Sequence, residues 1–173
     1  MGRGGKNCNP TFLPSSKPKA VIRMRKMVVL IPTFNEASTI VEQIKKLETF
    51  RNGSKDEISV LVIDDNSPDG TADLVDNLHL SWVEVLRRPA KAGLGAAYRA
   101  GFAKVLQTNL FTHVVTMDAD GSHRVDDFPA LIAAIKPGRS ITLGTRWIPG
   151  GSVINWPRSS QLLSKAGTRY AKL

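Results

Sequence analysis

Two nearly unbroken apolar runs, residues 27–32 (MVVLIP) and 58–63 (ISVLVI), stand out from a chain that otherwise mixes apolar and polar positions. Runs of about six, bounded by polar clusters, have the length and character of strands buried on both faces. Between them Ile40, Val41, Ile44 and Leu47 recur at helical spacing, with Glu42, Gln43, Lys45 and Lys46 in the other positions, which predicts an amphipathic helix. The alternation continues. A helix capped by Asp69 or Thr71 runs through Leu78, a shorter alternating strand follows at 82–86 (WVEVL), and a long helix opens at the Gly93–Gly95 pair and reaches about Leu106. Then come a strand at 111–117 (FTHVVTM), a helix at 128–135 (FPALIAAI), a fifth strand at 141–144 (ITLG) and a basic final helix with Leu162, Leu163, Ala166 and Tyr170.

Strand–helix alternation with short connections predicts an α/β fold, a mostly parallel sheet with helices on both faces. Ligands of such sheets bind beyond the C-terminal strand ends. Here three strand ends carry chemistry-bearing residues: Pro32-Thr33-Phe34-Asn35-Glu36, Asp64-Asp65 and Asp118-Ala119-Asp120. Random solvated turns would rarely place carboxylates at all three.

Composition narrows the class. At 173 residues with 42% hydrophobic content, the chain suits one domain with an ordinary core. No apolar run approaches the roughly 20 residues of a membrane span, and none near the N-terminus is long enough for a secretory leader, so neither is expected. The single cysteine, Cys8, excludes an internal disulfide and fits a reducing compartment.

Charge is unevenly placed. Residues 1–26 hold seven basic residues and no acid, 27–135 hold ten basic against fifteen acidic, and 136–173 again hold seven basic and no acid. The first segment, rich in Gly, Pro, Ser and Lys without periodicity, reads as a disordered basic arm (1–26), leaving 27–173 as the folded domain. Basic ends around an acidic middle point to an anionic partner, a membrane surface or a phosphate-rich ligand. Nucleic acid is not expected: the basic segments lack interleaved aromatics, and no helix-turn-helix, finger or RNP-like motif occurs.

Asp118 and Asp120 are one residue apart. In an extended segment their side chains would share one side, and two adjacent carboxylates call for a cation such as Mg²⁺ that completes its shell with phosphate oxygens. Phe34 offers a face for a base to stack on, and Glu36 an acceptor for its N–H edge. Asp65, with Asp64, closes the second strand, where a carboxylate commonly reads a base or ribose. Gly93 and Gly95 lack the third glycine of a dinucleotide fingerprint; they fit a close backbone approach to a ligand, with Arg88 and Lys91 nearby. Arg146, after the fifth strand, is suited to phosphate, and Arg158, Lys165 and Arg169 extend that basic character into the last helix. His79, His113 and His123 show no metal-ligand spacing.

In order along the chain, PTFNE (32–36), IDDNSPDGT (63–71), RPAKAGLGAAY (88–98), MDADGSH (117–123) and GTRW (144–147) closely resemble the dolichol-phosphate and polyprenol-phosphate mannosyltransferases, inverting GT-A glycosyltransferases of family 2. The likeness covers residue 27 to the end. It implies a GT-A domain that transfers mannose from GDP-mannose to a dolichyl or polyprenyl phosphate on the cytosolic membrane face. It also implies a Mg²⁺ or Mn²⁺ cofactor, and leaves open whether a membrane-spanning partner subunit recruits the domain to the anionic membrane surface that the basic ends point to. By motif position, Pro32, Phe34 and Glu36 are guanine-nucleoside contacts, and Ile63 and Asp65 a further part of that pocket. Asp118 and Asp120 are the metal pair with Ala119 packing beside them, and Arg146 meets the phosphates. Phe34 stands where a tyrosine is frequent, and Ser122 where some members have a glutamine as third metal ligand. The stop at Leu173 reads as a truncation, since members continue into another strand and a basic segment. Two rival readings are a glucosyltransferase on the same scaffold and a catalytically silent domain that binds nucleotide or lipid phosphate.

Overall fold

The computed structural model describes residues 24–136, 141–144 and 157–170. Among them, four parallel strands lie in the order β3–β2–β1–β4: β1 is Lys26–Thr33, β2 Glu57–Asp64, β3 Val83–Arg87 and β4 His113–Thr116. Helices α1 (Ile40–Gly53), α2 (Thr71–Asp76) and α4 (Phe128–Ala133) pack on one face and α3 (Leu94–Thr108) on the other. This is the expected α/β architecture.

Both faces being covered explains the unbroken apolar runs. In β1 the side chains of Met27, Val29 and Ile31 enter the core beneath α1 and α4, while those of Val28 and Leu30 enter the core beneath α3. The register Val29↔Val60, Leu30↔Leu61, Ile31↔Val62 sets β2's run beside it on the same two faces. Each such side chain, fully buried, contributes roughly 1.5–3 kcal/mol as an upper bound. Helix α1 buries Ile40, Gln43, Ile44 and Leu47, the predicted stripe with one polar member. Helix α3 approaches the sheet through Ala97, Gly101 and Val105. A Cβ at Gly101 would run into the Ile63 side chain, so glycine sets how closely α3 seats.

The strand order creates the site. From β1 the chain moves outward to β2 and β3, and α3 then carries it back past β1 to β4. The order reverses between β1 and β4, and the crevice beyond their C-terminal ends is where parallel sheets of this kind bind ligands. Both the residue 32–36 loop and Asp118–Asp120 open onto it.

Two expectations change. Residues 141–144 form no strand: Ile141 and Leu143 are 74% and 81% exposed. Two alternating apolar residues are a weak signal, and among the described residues they find no ladder partner. Arg25 and Lys26 belong to the body rather than the arm. Lys26 opens β1, and Arg25 pairs with Asp56 at 3.1 Å and donates to the Ile132 carbonyl oxygen at 3.2 Å. Residues 1–23 lie outside the described residues.

Candidate active site

The loops after β1 and β2 are fastened to each other by side chains. Asp64, 1% exposed, accepts from the Thr33 hydroxyl at 3.0 Å and from the Ser67 N–H at 2.9 Å, and also binds the Ser67 hydroxyl. The Asn35 N–H reaches Ser67 Oγ at 3.1 Å, the Glu36 N–H reaches Thr71 Oγ1 at 2.9 Å, and the Ala37 N–H reaches Asp69 Oδ2 at 3.0 Å. Asp69 accepts from the Thr71 hydroxyl at 2.6 Å, the main cause that holds its carboxyl below the ordinary range. Every one of these bonds crosses or braces the gap between the two loops. Asp64 is therefore a fastener rather than a base reader.

Phe34 and Glu36 project from the loop so held, both half-buried. One carboxylate oxygen of Glu36, Oε2, accepts from the Thr39 hydroxyl at 2.8 Å, and Oε1 makes no hydrogen bond among the described residues. The Glu36 carbonyl accepts the N–H of Thr39, the residue before α1, at 3.0 Å and that of Ile40, its first residue, at 2.9 Å. The carboxylate thus lies at a helix start, where the dipole favours its charge, and keeps one acceptor for a ligand.

Asp65 forms the third side. It is 5% exposed, and its carboxylate binds the Arg88 guanidinium through Oδ1 and the Ala92 N–H at 3.3 Å through Oδ2. The Arg88 N–H also reaches the Asp64 carbonyl oxygen at 2.7 Å. The post-β3 loop is thereby tied to the end of β2, and it lays the Lys91 ammonium 3.9 Å from the centre of the Phe34 ring. Gly93 adopts φ +85° with open space where a Cβ would be, so conformation rather than close contact calls for glycine there. Pro32 is half-buried at the end of β1. Ile63 is fully buried, its side chain packed against α3 at Gly101, so it supports the pocket from the core.

Asp118 and Asp120 do not face one side by strand alternation. Strand β4 ends at Thr116, and Ala119 and Asp120 lie in a turn. Ser122 relates the two carboxylates instead: its N–H donates to Asp120 Oδ1 at 2.8 Å, and its hydroxyl lies 3.5 Å from Asp118 Oδ2. The Ser122 N–H is also the main cause that holds the Asp120 carboxyl below its usual range. Gly121 closes the turn at φ +80°, a conformation that strains an L side chain, and a Cβ there would meet the Gln43 amide at 2.8 Å and oblige it to shift. Ala119 and Met117 are buried and anchor the turn to the core.

Two residues here went unassigned from sequence. His123 Nδ1 accepts the Asp118 N–H at 3.0 Å and lies 3.2 Å from Asp118 Oδ2. In the neutral ring Nδ1 is the acceptor, and the imidazole fastens the turn. Metal-ligand spacing was the wrong test for it; its place five residues after Asp118, inside a tight turn, was the usable signal. Tyr98 of α3 has its phenol pushed up by burial and by the Asp118 carboxylate, opposed by a hydrogen bond with Thr116, which places α3 beside the carboxylate turn.

The donor set fits a divalent ion. Asp118, Asp120 and Ser122 present hard oxygens, and no group of three His, Cys, Asp or Glu side chains among the described residues completes a cage. Such a site suits Mg²⁺ or Mn²⁺ with phosphate and water oxygens filling the shell. A cavity of about 190 Å³ between the end of α3 and the starts of β2 and β3, lined by Trp82, Val83, Lys104 and Phe111, lies away from these loops.

Arg146 lies outside the described residues. Arg158 begins α5 (Arg158–Tyr170), and no hydrogen bond or ion pair among the described residues ties it to the strand-end loops. That helix has no buried residue. Ser160, Gln161, Ser164 and Thr168 are half-buried, while Leu162, Leu163 and Tyr170 are 72%, 77% and 81% exposed. No helix among the described residues is long and apolar enough to cross a membrane.

Residues 28–172 match Glycosyl transferase family 2, and the chain belongs to that family. It is 38% identical over 158 residues to the polyprenol monophosphomannose synthase of Mycolicibacterium smegmatis, covering 90% of this chain and 58% of that one. It is 38% identical over 150 residues to the undecaprenyl-phosphate mannosyltransferase of Micrococcus luteus, covering 86% and 59%. It is 37% identical over 149 residues to the dolichol-phosphate mannosyltransferase of Pyrococcus furiosus, covering 86% and 41%. The chain thus spans less than two thirds of the length of each. Among solved structures it is similar to the mannosyltransferase PcManGT of Pyrobaculum calidifontis in complex with GDP-Man and Mn²⁺. The TM-score is 0.51 at 25% identity, over 63% of this chain and 31% of that one.

Proposed function

We propose that this member of glycosyl transferase family 2 transfers mannose from GDP-mannose to a polyprenyl or dolichyl phosphate, with inversion at the anomeric carbon. The observation that carries the reading is the pairing, across one switch-point crevice, of an aromatic–carboxylate pocket at the end of β1 with a carboxylate turn after β4. The names of the three curated relatives support mannose and a polyprenyl-phosphate acceptor. The GDP-Man and Mn²⁺ complex of the structural neighbour supports the donor and a divalent metal.

In this reading Phe34 stacks on guanine, and the free oxygen of Glu36 accepts from its N–H edge. Asp65 holds the Arg88–Lys91 wall closed behind the nucleoside. Asp118 and Asp120, with Ser122 between them, would hold the ion, which when bound neutralises the diphosphate leaving group. Arg146 adds a forked donor for the charge that develops there. An oxygen of the acceptor phosphate attacks the anomeric carbon from the face opposite GDP; that C–O bond forms as the bond to the diphosphate oxygen breaks, and the electron pair leaves with GDP. The acceptor phosphate is already ionised near neutral pH, so no general base is required.

Glu36→Ala tests the pocket. Loss of a hydrogen bond to a charged group is worth about 1.5–3 kcal/mol, so GDP affinity should fall roughly tenfold or more while UDP affinity moves little, measured by titration calorimetry. Unchanged GDP binding would return Glu36 to a helix-start acid serving Thr39.

The membrane-surface reading gains support from α5. Its outward sector carries Leu162, Leu163 and Tyr170, and Arg158, Lys165 and Arg169 lie along one edge of that sector at helical spacing. An apolar sector with basic residues beside it suits an anionic interface. With about 1 kcal/mol per cation near such a surface, Arg158→Gln with Arg169→Gln should lower co-sedimentation with phosphatidylserine vesicles about tenfold or more, and added salt should do the same to the unaltered protein. Vesicle binding indifferent to both would remove the helix from the membrane.

A further inference from the structure

Lys91 is exposed, and its ammonium lies 3.9 Å from the centre of the Phe34 ring. The loop beneath it does not depend on that contact, because Asp65 holds Arg88 on one side of Lys91 and the Ala92 N–H on the other. The main chain is pinned and the four-carbon stem is free to swing. Phe34 is half-buried, so the ring has limited open surface, and Lys91 stands on it.

Position along the crevice gives the swing a destination. The loop runs from Arg88 to Gly93, where α3 begins, and the first turns of α3 lead to Tyr98, whose phenol is pushed up by burial and by the Asp118 carboxylate. Lys91 therefore lies on the stretch between the base pocket and the carboxylate turn, the stretch a nucleoside diphosphate must cross.

We propose that Lys91 is a specificity-determining residue that makes base binding conditional on the diphosphate: it occupies the Phe34 face until a nucleotide exchanges it for the base and gives its ammonium a phosphate. This rests on the nucleotide reading above. A nucleoside without phosphate must displace the ammonium from the ring and offers nothing in return. A nucleoside diphosphate displaces it and supplies an anion within reach. An exposed cation–π contact is worth only about two- to fivefold in an equilibrium constant, so the exchange is easily driven by a charge-assisted contact to phosphate. The device rejects the nucleoside selectively and leaves the donor favoured.

The test compares guanosine, followed by NMR titration, with GDP, followed by calorimetry, on the full chain and on Lys91→Met and Lys91→Arg. Lys91→Met keeps most of the stem and removes the charge. It should bind guanosine about two- to fivefold more tightly and GDP about tenfold more weakly. Lys91→Arg, which retains a cation able to stack and to meet phosphate, should leave both within about twofold. Guanosine affinity unchanged in Lys91→Met, or both ligands weakened together, overturns the proposal. In that case, if Phe34→Leu still weakens GDP, the nucleotide pocket stands and only the role of Lys91 falls. An unaltered protein that binds neither guanosine nor GDP overturns both.

Discussion

Asp120→Asn is expected to abolish the gain in GDP-mannose affinity that Mn²⁺ or Mg²⁺ confers and to lower mannose transfer by at least about a hundredfold, with the fold unchanged. The reason lies in how the turn is built. Asp120 is exposed, and the Ser122 N–H of the turn donates to its Oδ1. An asparagine keeps that acceptor, so the turn closes as before while the charge is gone. Neutralising a diphosphate leaving group is worth several kcal/mol of barrier, and each 1.4 kcal/mol is a factor of ten in rate. Ser122→Ala should cost far less, about fivefold, because it keeps the main-chain N–H and removes only a hydroxyl 3.5 Å from Asp118. Calorimetry with and without chelator is the decisive measurement. Equal donor affinity in both would sink the metal role of the pair, whatever the variants do to transfer.

Asp64→Ala should be the most damaging single change outside the apolar core. Its carboxylate is almost wholly buried and accepts three hydrogen bonds: one from the Thr33 hydroxyl ties the end of β1 to the end of β2, and two from Ser67 close the loop after β2. Truncation strands the Thr33 hydroxyl and the Ser67 N–H together, and bonds to a charged group are worth about 1.5–3 kcal/mol each. A loss of about 3 kcal/mol or more in unfolding free energy is expected, read from the urea midpoint, with GDP affinity falling as the Phe34–Glu36 loop loosens. Asp64→Asn, which can keep an acceptor toward Thr33 and the Ser67 hydroxyl, should lose roughly half as much. A truncated protein with the parent's urea midpoint and GDP affinity would show that the remaining bonds, Asn35 to Ser67 and Glu36 to Thr71, suffice to hold the loops.

These two aspartates show where reading the sequence stops. Asp64 and Asp65 are adjacent, chemically identical and both at the end of a strand, so both qualify as ligands for a base. Alternation sends neighbouring side chains to opposite sides, and only the partners found there separate their work: Asp64 meets Thr33 and Ser67, Asp65 meets Arg88 and Ala92. The Asp118–Asp120 pair carries the opposite lesson. Its joint presentation was anticipated, but from strand geometry that ends two residues too early; a glycine turn and the N–H of Ser122 bring it about.

The sequence by itself determined the parts whose signal is local and periodic. Unbroken apolar runs specified β1 and β2 as strands buried on both faces, a 3.6-residue stripe specified α1, and strand–helix alternation specified a parallel sheet with its chemistry at the C-terminal ends. Burial enforces such patterns at every position, so they survive in one chain without its relatives. Tertiary structure alone decided what depends on residues far apart meeting. It set β4 beside β1, which makes the crevice a switch point. It drew Arg25 into the body through Asp56 and gave residues 141–144 no strand partner among the described residues. It also put Lys91, nearly sixty positions after Phe34, on that ring. Each of these is a pairing energy between side chains or strand edges, and no single stretch of sequence contains both members of the pair.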